Sequence, residues 1–131
     1  MTADMIFLGF LYLMGSGFLV ALVFYPMWVV LHRILSGDLD ETLFREPFFD
    51  EAELERYRYF PLSLVKSINY IYLIAYPRWA QKRRFKELER QLPVSRGIRA
   101  LCKVHFTLGI LGTLLFVVAA IYLGAALILI P

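Results

Sequence analysis

Two stretches without a single charged side chain, residues 5–31 and 106–130, constrain this chain more than anything else in it. They run for 27 and 25 positions, and a helix needs about 20 residues to cross roughly 30 Å of hydrocarbon. Both are expected to be membrane-spanning helices. Composition agrees: of 131 residues 60% are hydrophobic and 19% charged, with a mean hydropathy of +0.62. A soluble domain of that size buries only about two-thirds of its unfolded surface and cannot hide so much apolar area. A disordered chain needs the opposite composition. A cleavable leader is the competing reading of the first run. It would place a basic segment ahead of an apolar stretch of about 7–15 residues, whereas here only Asp4 precedes a much longer one.

The expected fold is an all-α integral membrane protein: two antiparallel transmembrane helices joined by a cytoplasmic loop of short amphipathic helices, one of them interfacial. The chain then divides into an outside tail (1–4), the first span (5–31), an acidic cytoplasmic arm (32–60), an interfacial amphipathic helix (61–76), a basic cytoplasmic helix leading into the second span (77–105) and the second span (106–130). Sidedness comes from charge. All 14 Lys and Arg residues fall between Arg33 and Lys103. Counting only those within about 20 residues of a span, seven lie on the loop side and none beyond the outer ends. The loop is therefore expected in the cytoplasm and both termini outside, across the inner membrane if the source is bacterial. The single cysteine, Cys102, rules out an internal disulfide framework.

Small residues recur within the spans. Gly17 and Ala21, Gly109 and Thr113, and Ala120 and Gly124 are each four apart, so each pair puts two small side chains on one helix face where another backbone approaches closely. The other span, a transmembrane helix of a partner complex or a second copy would all satisfy this pattern. Pro26 interrupts the hydrogen-bond ladder of the first span, and Tyr25 and Trp28 suit the headgroup boundary.

The loop separates its charges. Residues 33–60 hold four basic and eight acidic side chains, and residues 61–105 hold ten basic and two acidic. Gly37 reads as the stop of the first helix, Asp38 with Glu41 as the cap of a short helix to about Arg45, and Asp50 as the cap of another to about Phe60. Residues 62–76 place Leu64, Val65, Ile68, Ile71, Tyr72 and Ala75 on one helical face, with Ser63, Lys66, Ser67, Asn69 and Tyr70 on the other. Too short to span, this helix is expected to lie in the headgroup plane with the first face toward lipid. A re-entrant or third span and burial against a partner protein are the competing readings. A helix from Pro77 to Leu92 would carry Lys82, Arg83, Arg84, Lys86 and Arg90 as a surface for anionic membrane lipid. A basic run beside a span is a topology signal, so no nucleic-acid partner is expected. Ser95 reads as the cap of the last helix.

Chemistry-bearing motifs are scarce. The sequence has no glycine-rich phosphate loop, HExxH, CxxC or nucleophile elbow, and neither span carries a Lys, Arg, Asp or Glu. An enzyme is not expected and no catalytic residue is assigned. One constellation stands apart: His32 ends the first span, His105 begins the second, and Cys102 shares a helix face with His105. The two histidines would suit a haem iron, such as haem b, and Cys102 would join them around zinc or copper. Otherwise the histidines sit among headgroups and Cys102 packs as a small apolar residue. No cofactor is assigned. The leading expectation is a non-catalytic accessory, assembly or scaffold subunit of a larger membrane complex. A haem- or metal-binding redox protein using His32 and His105, and a membrane-surface lipid-binding protein using residues 62–92, are the alternatives.

Overall fold

The computed structural model describes residues 2–88, 92 and 94–129. Every regular element among them is helical: α1 (Ala3–Leu43), α2 (Glu51–Arg56), α3 (Ser63–Ala75), α4 (Pro77–Ala80) and α5 (Arg96–Leu129). α1 and α5, of 41 and 34 residues, are both long and apolar enough to cross a membrane. Contacts divide the chain into two compact units, a terminal one from residues up to Tyr25 and from Thr107 onward, and a central one, Pro26–Phe106.

In the terminal unit, rings and branched side chains fill notches left by glycine. A Cβ added to Gly9 would stand 2.7 Å from the Tyr122 hydroxyl, one on Gly17 3.3 Å from Phe116, one on Gly109 3.0 Å from Phe24, and one on Gly112 3.3 Å from Val20. Of the small residues expected to mediate packing, Gly17 and Gly109 do so and Ala21 is half-buried. Thr113, Ala120 and Gly124 are exposed instead, and the Thr113 hydroxyl donates back to the Gly109 carbonyl at 2.8 Å. The covered small residues of α5 are Gly112, Ala119 and Ala126, seven apart. A seven-residue recurrence keeps one seam of a helix against its neighbour, which a lone four-residue spacing does not specify.

In the central unit, α1 does not stop at Gly37. It continues to Leu43, and no residue described has a positive φ. Leu31, Leu35, Leu39 and Leu43 recur every fourth residue, and each is at most 1% exposed. Burying one leucine contributes about 1.5–3 kcal/mol, so this stripe outweighs the roughly 1 kcal/mol that a helical glycine costs. Asp38, expected as a cap, is an exposed residue in mid-helix.

Asp50 does cap α2. Its side chain accepts from the Glu53 N–H at 2.8 Å, and the Glu53 carboxylate accepts from the Asp50 N–H at 3.1 Å, a reciprocal capping box. α2 ends at Arg56, short of Phe60, ahead of the Pro61 that disfavours helical backbone before it.

α4 is a single turn begun by Pro77, where a helix to Leu92 was expected. Turns follow through residue 87, with the Arg83 and Phe85 N–H groups both donating to the Ala80 carbonyl, at 3.1 and 3.3 Å. Arg84 and Phe85 are drawn inward by tertiary contacts, while Lys82 and Lys86, four apart, would repel on a continued helix. The expected Pro93 stop lies outside the described residues. α5 begins at Arg96, and the Ile98 N–H donates to the Ser95 hydroxyl at 3.2 Å.

Candidate functional site

Beside its leucine stripe, α1 carries a second stripe of the same spacing: His32, Ser36 and Asp40. α3 meets it with Ser63, Lys66, Ser67 and Tyr70, all buried. The His32 Nδ1 is hydrogen-bonded to the Ser67 hydroxyl and lies 3.2 Å from that of Ser36, while Nε2 lies 3.4 Å from that of Ser63. Lys66 Nζ donates to Asp40 Oδ2 at 2.8 Å and the Tyr70 hydroxyl donates to Oδ1 at 2.9 Å. The Lys66 ammonium also lies 4.5 Å from the centre of the Phe44 ring, a favourable cation–π placement. One turn before this seam, the Trp28 indole N–H donates to the Leu64 carbonyl at 3.1 Å.

This arrangement reverses the expected orientation of α3. Its polar face is turned inward, and Ile71 and Ala75, assigned to lipid, are buried. Burying a polar group without a partner costs about 1–3 kcal/mol and a charge more, so a polar face can turn inward only against complementary groups. Asp40 and His32 supply them. The outward face reads Leu62, Val65, Asn69, Tyr72 and Tyr76, the i, i+3, i+7, i+10, i+14 recurrence of one side of a helix. Leu62, Val65 and Tyr76 are exposed, and Tyr72 stacks on Phe106 at 5.5 Å between ring centres.

A second clamp joins α2 to the turns after α4. Arg84 donates to both Glu53 oxygens at 2.7 and 2.9 Å, and to the Phe48 carbonyl at 3.2 Å. The bidentate pair holds the Glu53 carboxyl below its ordinary pKa and the Arg84 guanidinium above its own. Arg84 also stands over the Phe49 ring, 4.9 Å from its centre, beside a cluster in which Phe49 packs against Phe44, Tyr57, Tyr70 and Phe85. Burial raises the Tyr70 phenol pKa, as does its bond to Asp40, so it stays a neutral donor.

The residues singled out from the sequence fare differently. The expected trio of His32, Cys102 and His105 does not assemble: no group of three or more metal-ligating side chains occurs among the described residues. His32 faces serines at both ring nitrogens, His105 lies beside Trp28 at 6.3 Å between ring centres, and Cys102 is a buried thiol within the apolar core. Of the basic surface, Lys82, Arg83 and Lys86 are exposed, but Arg84 is engaged by Glu53. Arg90 lies outside the described residues. The seam itself escaped the sequence reading, although its signal was present: polar residues four apart on one helix, and a polar face on another some 30 residues away.

No protein-family description, characterised protein or solved structure matches this chain.

Proposed function

We propose that the chain is an integral membrane accessory or scaffold subunit, whose central unit presents a fixed docking face to other subunits of a membrane complex. The observation that carries this reading is the inward pairing of α3's polar face. Lys66, Asp40, Tyr70 and His32 engage one another or nearby serines, leaving Leu62, Val65 and Tyr76 exposed on the outward side. Such a surface binds by shape and apolar area.

Both long helices cross the membrane in this reading. In the terminal unit, partners run from Gly9 with Tyr122 through Gly17 with Phe116 to Phe24 with Gly109. One number falls as the other rises, which supports antiparallel spans. The charge count supports a cytoplasmic central unit, and the exposed rings of Tyr59, Phe60 and Trp79 suit the headgroup boundary.

Extracted from its native membrane in mild detergent, the chain should migrate with other membrane subunits in fixed stoichiometry. Leu62→Glu and Val65→Glu should release it while circular dichroism stays unchanged. A folded, solitary monomer would sink the reading. For sidedness, Cys102 is uninformative because its buried thiol is shielded from reagents on either side. A cysteine replacing exposed Arg58 should be protected from an impermeant thiol reagent in intact cells, and its labelling from outside would reverse the topology.

A further inference from the structure

Within the central unit, residues of α3, α4 and the start of α5, with Gln81, Leu88, Leu92 and Val94 between them, line an open cavity of about 260 Å³. Leu73, Ile74, Leu88 and Val94 contribute apolar walls, and Arg78 and Arg99, both exposed, also line it. Neither arginine forms an ion pair with a described residue, unlike Arg84, which Glu53 neutralises. A recess with apolar walls and two arginines on its lining has the two chemistries of an anionic amphiphile: methylenes for the walls, and a phosphate for planar donors that bind its oxygens in pairs.

We propose that this cavity is a binding site for an anionic membrane phospholipid, with the start of an acyl chain in the recess and the phosphate at Arg78 and Arg99. Position selects a bilayer lipid over a soluble phosphate. Arg99 precedes Phe106, where the uncharged run of α5 begins, by seven residues, about 10 Å along a helix. The headgroup layer is roughly 5–7 Å deep on each side of the hydrocarbon, and a long arginine side chain reaches back toward it. Charge points the same way, since residues 61–105 carry ten basic and two acidic side chains. The site differs from the exposed Lys82, Arg83 and Lys86 surface, because it adds a concave apolar wall to the charge. It rests on α5 crossing the membrane, as the proposed function does.

Trp79 adjoins Arg78 and is exposed, so it reports on this site. In phosphatidylcholine vesicles, the full chain carrying Trp28→Phe retains Trp79 as its sole tryptophan. A small fraction of brominated phosphatidylglycerol should quench it far more than the same fraction of brominated phosphatidylcholine. Arg78→Gln and Arg99→Gln should each weaken that preference about fivefold, and Arg58→Gln, an equal charge change elsewhere, should leave it intact. Native mass spectrometry of the unaltered chain, counting retained phosphatidylglycerol against the two arginine variants, gives the same comparison without replacing Trp28. Equal quenching by the two lipids, or an undiminished preference in both arginine variants, overturns the site. Displacement of the lipid by soluble glycerol phosphate assigns the arginines to a free phosphate and overturns it too. Vesicle flotation separates the two proposals: a chain that inserts without lipid preference sinks this one alone, and a chain that fails to insert sinks both.

Discussion

The terminal and central units each hold helices together, and they do so with opposite chemistry. In the terminal unit the contacts are volumes: rings of Phe24, Phe116 and Tyr122 seated against Gly109, Gly17 and Gly9. In the central unit they are matched polar groups, Asp40 with Lys66 and Tyr70, His32 with serines, and Glu53 with Arg84, set beside a leucine stripe. Apolar area alone cannot choose among apolar faces, so shape must fix the register where nothing polar is available. Where polar groups are buried, the cost of leaving any one unmatched fixes it instead.

The largest expected effect separates the two members of one ion pair. Asp40→Ala leaves the ammonium of Lys66, only 4% exposed, without its carboxylate, and should cost about 3–5 kcal/mol. Lys66→Met leaves Asp40, whose side chain is 34% exposed and still accepts from Tyr70, and should cost about 1–3 kcal/mol. Equilibrium unfolding in detergent measures both. A larger loss for Lys66→Met would mean that burial does not set the energetics of the seam.

The terminal unit should respond to volume. Gly109→Leu drives a side chain into Phe24, which already stands 3.0 Å from a Cβ at this position, and should cost about 1–3 kcal/mol. Gly15→Ala here, and Gly37→Ala in the central unit, enter open space and should raise stability slightly, by up to about 1 kcal/mol, through the helix preference of alanine. If Gly109→Leu proved as mild as these in the same unfolding assay, the notch would not hold the helices.

The smallest effect concerns acid. The Arg84 bond holds the Glu53 pKa in the folded chain below its ordinary 4.5, so the unfolded chain takes up the proton first as pH falls. The stabilisation is complete above the unfolded value and is lost as pH drops through the lower folded one. The pair is partly exposed, with side chains 19% and 32% accessible, so the loss should be about 0.5–1 kcal/mol. Glu53→Gln should remove this part of the pH dependence, and a Gln variant whose acid sensitivity matched the parent would assign it to another carboxylate.

Features encoded by neighbouring residues were legible in the sequence. Two uncharged runs mark the two long helices, and Asp50 marks the start of α2. What escaped depends on residues distant in the chain. The Gly37 stop fails because Leu39 and Leu43 find a core beyond it. The inward face of α3 was assigned outward because Lys66 reads as surface until Asp40, 26 residues earlier, is known to lie against it. Pro77 and the basic run after it suggest a long helix, and Arg84 and Phe85 break it by turning to Glu53 and Phe48.

The glycine notches also shape how this chain can diverge. At each notch one residue has no side chain because another, far along the chain, fills its place: 9 with 122, 17 with 116, 109 with 24 and 112 with 20. A larger residue at one position requires its counterpart to shift or shrink, the more so the bulkier the newcomer. Among descendants of this sequence these positions would therefore drift as four coupled pairs, while Gly15 and Gly124, with nothing beside them, would vary singly.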